Sequence, residues 1–155
     1  MPRLTAGGRR AMLIRLLQGS MLLVLTVAIH AVVLSAMLNR LNKRHQDSAP
    51  LRFSAYSWLL ARVAAVTVLA HLLEISLWAG YYAWKEALPN LETSFYFSSV
   101  TYATIGYGDI VLPETWRLLA AMEGLTGILM CGWSGAFFFV VVSKLYSRTQ
   151  SSASS

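Results

Sequence analysis

Residues 104 to 109 read Thr-Ile-Gly-Tyr-Gly-Asp, an order that gives the backbone itself something to do. Glycine reaches positive φ without steric cost, so Gly106 and Gly108 let the strand alternate between conformations that other residues reach only with strain. A strand that alternates in this way can aim successive carbonyl oxygens along one line. Oxygens so aligned suit a cation that has shed its water. Thr104 adds a hydroxyl oxygen at one end and Asp109 a carboxylate at the other. The plain alternative is a glycine-rich turn in a loop, because Gly-Tyr-Gly also occurs by chance.

Other chemistry is sparse. The sequence shows no nucleophile–base set, no zinc-spaced His/Cys cluster and no phosphate-binding loop, which argues against an enzyme. His30, Arg62, His71, Glu74 and Glu123 lie within apolar runs, where charge is costly and often functional. His71 and Glu74 share one helix face at i, i+3. Counting the helical rise puts His71 and Glu123 at similar depth, so these two are expected to pair across their helices. Such a pair is either structural or, since histidine titrates near neutrality, a pH sensor.

The elements that must position these residues read as an all-α membrane protein. Of 155 residues, 56% are hydrophobic and 13% charged, too apolar for the surface of a soluble domain this small. The net charge of +6 sits mostly in Arg and Lys outside the apolar runs, which fits anchoring at a bilayer and not nucleic-acid binding. One cysteine, Cys131, excludes an intrachain disulfide. Three runs, near 11–38, 56–84 and 115–143, have the ~20 residues a spanning helix needs. Arg3, Arg9, Arg10 and Arg15 precede the apolar stretch from about Leu16 to Leu38, which is too long for a signal peptide core and reads as a retained helix. A basic linker is expected over Asn39–Pro50. Trp78, Tyr81, Tyr82 and Trp84 read as a headgroup-level aromatic cluster. Between the last two spans, residues 93–103 are too short to cross. They follow helix-start residues at 89–93, so a short helix and an irregular strand form a re-entrant loop. The organisation expected is an N-terminal helix with basic linker at 1–55, a central unit at 56–143 and a disordered Ser-rich tail at 144–155.

From Tyr56 onward the hexapeptide and its flanking helices resemble the bacterial-type potassium channel family, whose filter usually reads T-V/I-G-Y/F-G-D. The resemblance covers about 90 residues: a two-helix pore domain with one pore loop, to which an N-terminal helix has been added. It implies that K⁺ is the permeant ion, held mainly by the backbone carbonyls of Thr104, Ile105, Gly106 and Tyr107, with no organic cofactor. One filter per chain implies a homotetramer in the lipid bilayer. Gly108, Asp109, Tyr96 and Phe97 would support the filter, with Tyr96 standing where Trp is commoner and able to bond Asp109. Phe97 reads equally as core packing. Val100 stands where some bacterial members carry a Glu behind the filter, so a carboxyl–carboxylate pair is not expected there.

In the last span Gly127, or Gly124, falls where the family has a hinge glycine, though small residues also permit close helix packing. Ile128, Cys131, Gly135 and Phe139 recur at helical spacing and would line a cavity, with Phe138 or Phe139 as a constriction. In the family the filter faces outward. The chain is then expected as a multi-pass protein of the cell (inner or plasma) membrane, its C-terminus cytoplasmic and its N-terminus outside. Arg3, Arg9, Arg10 and Arg15 run against the positive-inside rule in that arrangement. No helix carries Arg or Lys at every third position, so voltage sensing is not expected, and the tail leaves no room for a cytosolic ligand domain. The alternatives to a potassium channel are a weakly selective cation channel and a non-conducting assembly partner.

Overall fold

The structure is a computed structural model that describes residues 6–44 and 53–153. Arg3 and the linker from residue 45 to 52 lie outside the described residues. Four α-helices follow one another: α1 (Ala6–Arg44), α2 (Phe53–Trp84), α3 (Leu91–Tyr102) and α4 (Arg117–Ala153), the last entered through a 3₁₀ turn at Glu114–Trp116. Among the described residues there is no strand ladder. Three helical stretches, Gly7–Lys43, Ser54–Trp84 and Glu114–Ser147, are long and apolar enough to cross a membrane. At 1.5 Å per residue each exceeds the ~30 Å hydrocarbon layer.

The short helix α3 starts where its chemistry says it should. The Thr93 N–H donates to the Asn90 side chain at 2.8 Å, and Glu92 places negative charge in the first turn. Both satisfy or complement amides that would otherwise lack partners, a cap worth ~1 kcal/mol. The chain leaves α3 at Ala103 and passes straight into the 104–109 strand.

Helix α1 packs against both α2 and α4 of its own chain, and α3 nests against α2 and α4. Two apolar clusters fix the direction of each helix. Leu22, Trp78, Tyr82, Phe97, Leu112 and Leu119 form one at the end near residues 104–109. Leu34, Val63, Phe137, Val141 and Leu145 form the other at the far end. So α1 runs antiparallel to α2 and parallel to α4, and its N-terminal half lies at the 104–109 end. The Arg15 guanidinium there stacks 3.4 Å from the centre of the Trp116 ring, pinning α1 to the start of α4.

Three expectations change. The basic linker begins later than Asn39, because α1 stays helical to Arg44. The Ser-rich tail is helical as far as Ala153, since residues 144–153 contain no Gly or Pro to stop α4. The aromatic cluster divides. Trp84 is exposed, whereas Trp78 and Tyr82 are fully buried and Tyr81 nearly so. They pack inward because α1 supplies a wall for them and a hydrogen-bond acceptor: the Trp78 indole N–H donates to Thr26 Oγ1 at 3.1 Å.

Candidate functional site

The 104–109 strand has the alternation that its glycines allow. Thr104, Gly106 and Gly108 take φ of 59°, 58° and 78°, so every second residue is left-handed. At Gly106 and Gly108 this costs little. At Thr104, a β-branched residue, it is strained and must be held by its surroundings. The C-terminal turn of α3 does the holding. Thr104 N–H donates to Thr101 O at 2.9 Å, while Ile105 N–H and Gly106 N–H share the Val100 carbonyl at 2.9 and 3.3 Å. Val100 therefore contributes its backbone oxygen, a role that attention to its side chain alone misses.

The outer end is held by side chains. The Tyr96 hydroxyl donates to Asp109 Oδ2 at 2.8 Å, the bond that the sequence spacing allows. This bond to the Asp109 carboxylate raises the Tyr96 phenol above its ordinary pKa, so it stays a donor. Phe97 turns the other way, buried with its ring edge-on to Tyr82 at 5.6 Å. A cavity of about 270 Å³ lies behind the strand, lined by Tyr96, Val100, Tyr107, Asp109, Val111 and Arg117 among others. Within the single chain, residues 104–109 are all exposed, Ile105 and Tyr107 at 54% and 69%. The strand is thus presented at the surface of the subunit.

Helix α4 has two distinct faces. Gly127, Met130, Ser134, Phe137 and Val141 are buried against the chain's own helices. Ile128, Cys131, Gly135, Phe138 and Phe139 lie on the exposed side. At Gly127 a β-carbon would sit 1.9 Å from the Tyr102 carbonyl oxygen, while at Gly124 it would meet Thr101 O at an ordinary 3.5 Å. Gly127 thus serves the close approach of α4 to the end of α3.

Between the two apolar clusters lies a buried polar layer with a member from every helix. His30 Nδ1 of α1 is 2.7 Å from Glu74 Oε1 of α2, and the Tyr102 hydroxyl of α3 donates to Glu74 Oε2. His71 Nδ1 lies 3.1 Å from the Tyr102 hydroxyl and 3.4 Å from Glu74 Oε2. Ser134 Oγ of α4 is 3.1 Å from His30 Nε2 and 3.0 Å from His71 Nε2. The expected His71–Glu123 pair does not form. Glu123 instead accepts from the Tyr82 hydroxyl at 2.9 Å, because His71 is taken up by Glu74, Tyr102 and Ser134. Sequence reasoning singled out three of the layer's members but not their meeting, since His30 is 44 residues from Glu74 on a helix that the pore-domain resemblance does not include. Arg62 is exposed at the far end, outside the layer.

A family model described as "Ion channel" matches residues 60–144, from the first half of α2 through the 104–109 strand to the far part of α4. No curated protein and no solved structure matches the chain.

Proposed function

Because the chain belongs to the ion channel family over residues 60–144, more than half its length, we propose that it is a potassium-selective channel of the bacterial two-helix type. The observation that carries this reading is the Thr-Ile-Gly-Tyr-Gly-Asp strand with its left-handed residues at 104, 106 and 108. That alternation suits carbonyls that replace the water shell of K⁺. The ion would be held mainly by the carbonyls of Thr104, Ile105, Gly106 and Tyr107, with the Thr104 hydroxyl at the inner mouth. Passage is passive: K⁺ exchanges hydration for carbonyl oxygens, moves between adjacent sites and regains its water on leaving.

A complete ring needs several strands, and each chain supplies one. The exposure of residues 104–109 on the single chain supports a homotetramer in the bilayer with the strands facing a common axis. The C-terminal ends of four copies of α3 would then point at the central cavity, where their partial negative charge favours a cation. Ile128, Cys131, Gly135 and Phe139 stand on the side of α4 available to line that cavity, with Phe138 or Phe139 narrowing it. The chain is a multi-pass membrane protein. We place it in the cell (inner or plasma) membrane with the filter and the α1 N-terminus outside and the C-terminus in the cytoplasm.

The test is flux through the purified protein in liposomes under opposed K⁺ and Na⁺ gradients. A reversal potential that follows K⁺ is the expected result. A reversal indifferent to the two ions would make it a weakly selective cation channel. No flux would make it an assembly partner. Either outcome overturns potassium selectivity.

A further inference from the structure

We propose that His30, His71 and Glu74 form a binding site for a divalent cation of zinc's class, with Ser134 and Tyr102 orienting the ligands. This site is separate from the 104–109 strand and does not depend on what passes through it. Among the described residues, these three form the group of His, Cys, Asp and Glu side chains whose ligand atoms all lie within 4.8 Å of one another.

The two imidazoles turn the same edges toward Glu74 and Ser134, with His71 Nδ1 also 3.1 Å from the Tyr102 hydroxyl. Their Nδ1 atoms face the two oxygens of Glu74 at 2.7 and 3.4 Å, and their Nε2 atoms face one Ser134 oxygen at 3.1 and 3.0 Å. A serine hydroxyl carries one proton and two lone pairs. It can therefore donate to only one of these Nε2 atoms, but it can accept from both at once. When it accepts from both, each ring carries its proton on Nε2 and turns a bare Nδ1 lone pair toward the carboxylate. In that tautomer two lone pairs and an anion converge, an arrangement that a cation between them would satisfy.

The donor set fits zinc's class. Two imidazole nitrogens and one carboxylate oxygen, with water as a fourth ligand, form a set that Zn²⁺ or Co²⁺ takes. Bonds of about 2.1 Å around a tetrahedral ion put neighbouring donors roughly 3.4 Å apart, and the ligand atoms here all lie within 4.8 Å of one another. Histidine ligands commonly hold their second nitrogen in a hydrogen bond that fixes the tautomer, and Ser134 Oγ lies within reach of that nitrogen on both rings. The Tyr102 hydroxyl occupies Glu74 Oε2 and leaves Oε1 to the ion. His30 and Glu74 are fully buried, while the His71 side chain keeps 17% of its surface open and supplies the way in.

The test uses the tag-free full chain in detergent, titrated with Co²⁺ and then with Zn²⁺ in competition. Wild type should take up Co²⁺ stoichiometrically with the visible bands of a four-coordinate ion, and Zn²⁺ should displace it. Affinity should fall about tenfold or more in Glu74→Gln and in His71→Ala. His45→Ala and Cys131→Ser, which remove the remaining histidine and the cysteine, should bind as wild type does. Because Glu74→Gln could misfold, His71→Cys is the decisive variant: it should retain Co²⁺ and gain a thiolate-to-metal charge-transfer band. Wild type that takes up no stoichiometric metal would overturn the site. So would undiminished binding in both Glu74→Gln and His71→Ala, or a His71→Cys protein without the thiolate band.

Discussion

Gly127 stands so close to Tyr102 that a β-carbon on it would lie 1.9 Å from the Tyr102 carbonyl oxygen. The obstacle is backbone at the end of α3, which cannot swing aside as a side chain would. Any side chain at 127 therefore pushes α4 away from the turn that carries the 104–109 strand.

Gly127→Ala should destabilise the folded protein by about 1–3 kcal/mol or more, the cost of overpacking a tight contact. Gly124→Ala, whose new methyl would meet Thr101 O at 3.5 Å, should be close to neutral. Thermal unfolding of the two variants in detergent separates them. Equal loss at both positions would argue that helix bending, not packing, sets the requirement for glycine.

Tyr96→Phe should leave the fold intact and loosen the outer end of the strand, because it removes the 2.8 Å bond to Asp109 and nothing buried. Sustained currents should decline faster than in wild type; unchanged currents would remove Tyr96 from the support of the strand. The pH dependence has a definite sign. The phenol's folded pKa lies above its ordinary value near 10, so its contribution is complete below pH ~10 and is lost only as pH rises through the raised value. Wild type should keep its advantage over Tyr96→Phe up to that point.

Cys131 is the one thiol, and it lies on the exposed side of α4. Small charged thiol reagents applied from the C-terminal side should reduce the current, and Cys131→Ser should abolish the effect. A wild-type channel indifferent to them would turn this side of α4 toward lipid.

Glu74→Ala should cost about 3–5 kcal/mol, since it strips a buried partner from His30 and Tyr102 together. Glu123→Gln should cost much less. Its bond from the Tyr82 hydroxyl can be kept by the amide oxygen. Chemical or thermal unfolding orders the two, and comparable losses would contradict the layer's geometry.

The parts of this molecule that were legible in the sequence carry local signals. Asn90 and Glu92 announce α3, the spacing of Gly106 and Gly108 announces the strand, and the long apolar runs announce α2 and α4. The inward faces of the long helices were not legible. A helix that is apolar all round carries no periodicity to say which side meets protein, so Trp78 and Tyr82 looked like interface residues although they are core. The partners of His71 were hidden for a related reason. Depth counting along α2 and α4 finds Glu123 but has no way to bring in α1, whose His30 holds the carboxylate that His71 also faces.

The buried polar layer also resists sliding of the helices along one another. Apolar helices in lipid gain nearly as much from one axial offset as from the next, so apolar packing alone sets their register weakly. Moving α1 by one turn, about 5.4 Å, would strand His30 in hydrocarbon and leave Glu74 short of a partner. The layer thus works as a detent that fixes the height of the added helix. Through Tyr102, it also fixes the depth at which the short helix α3 stops.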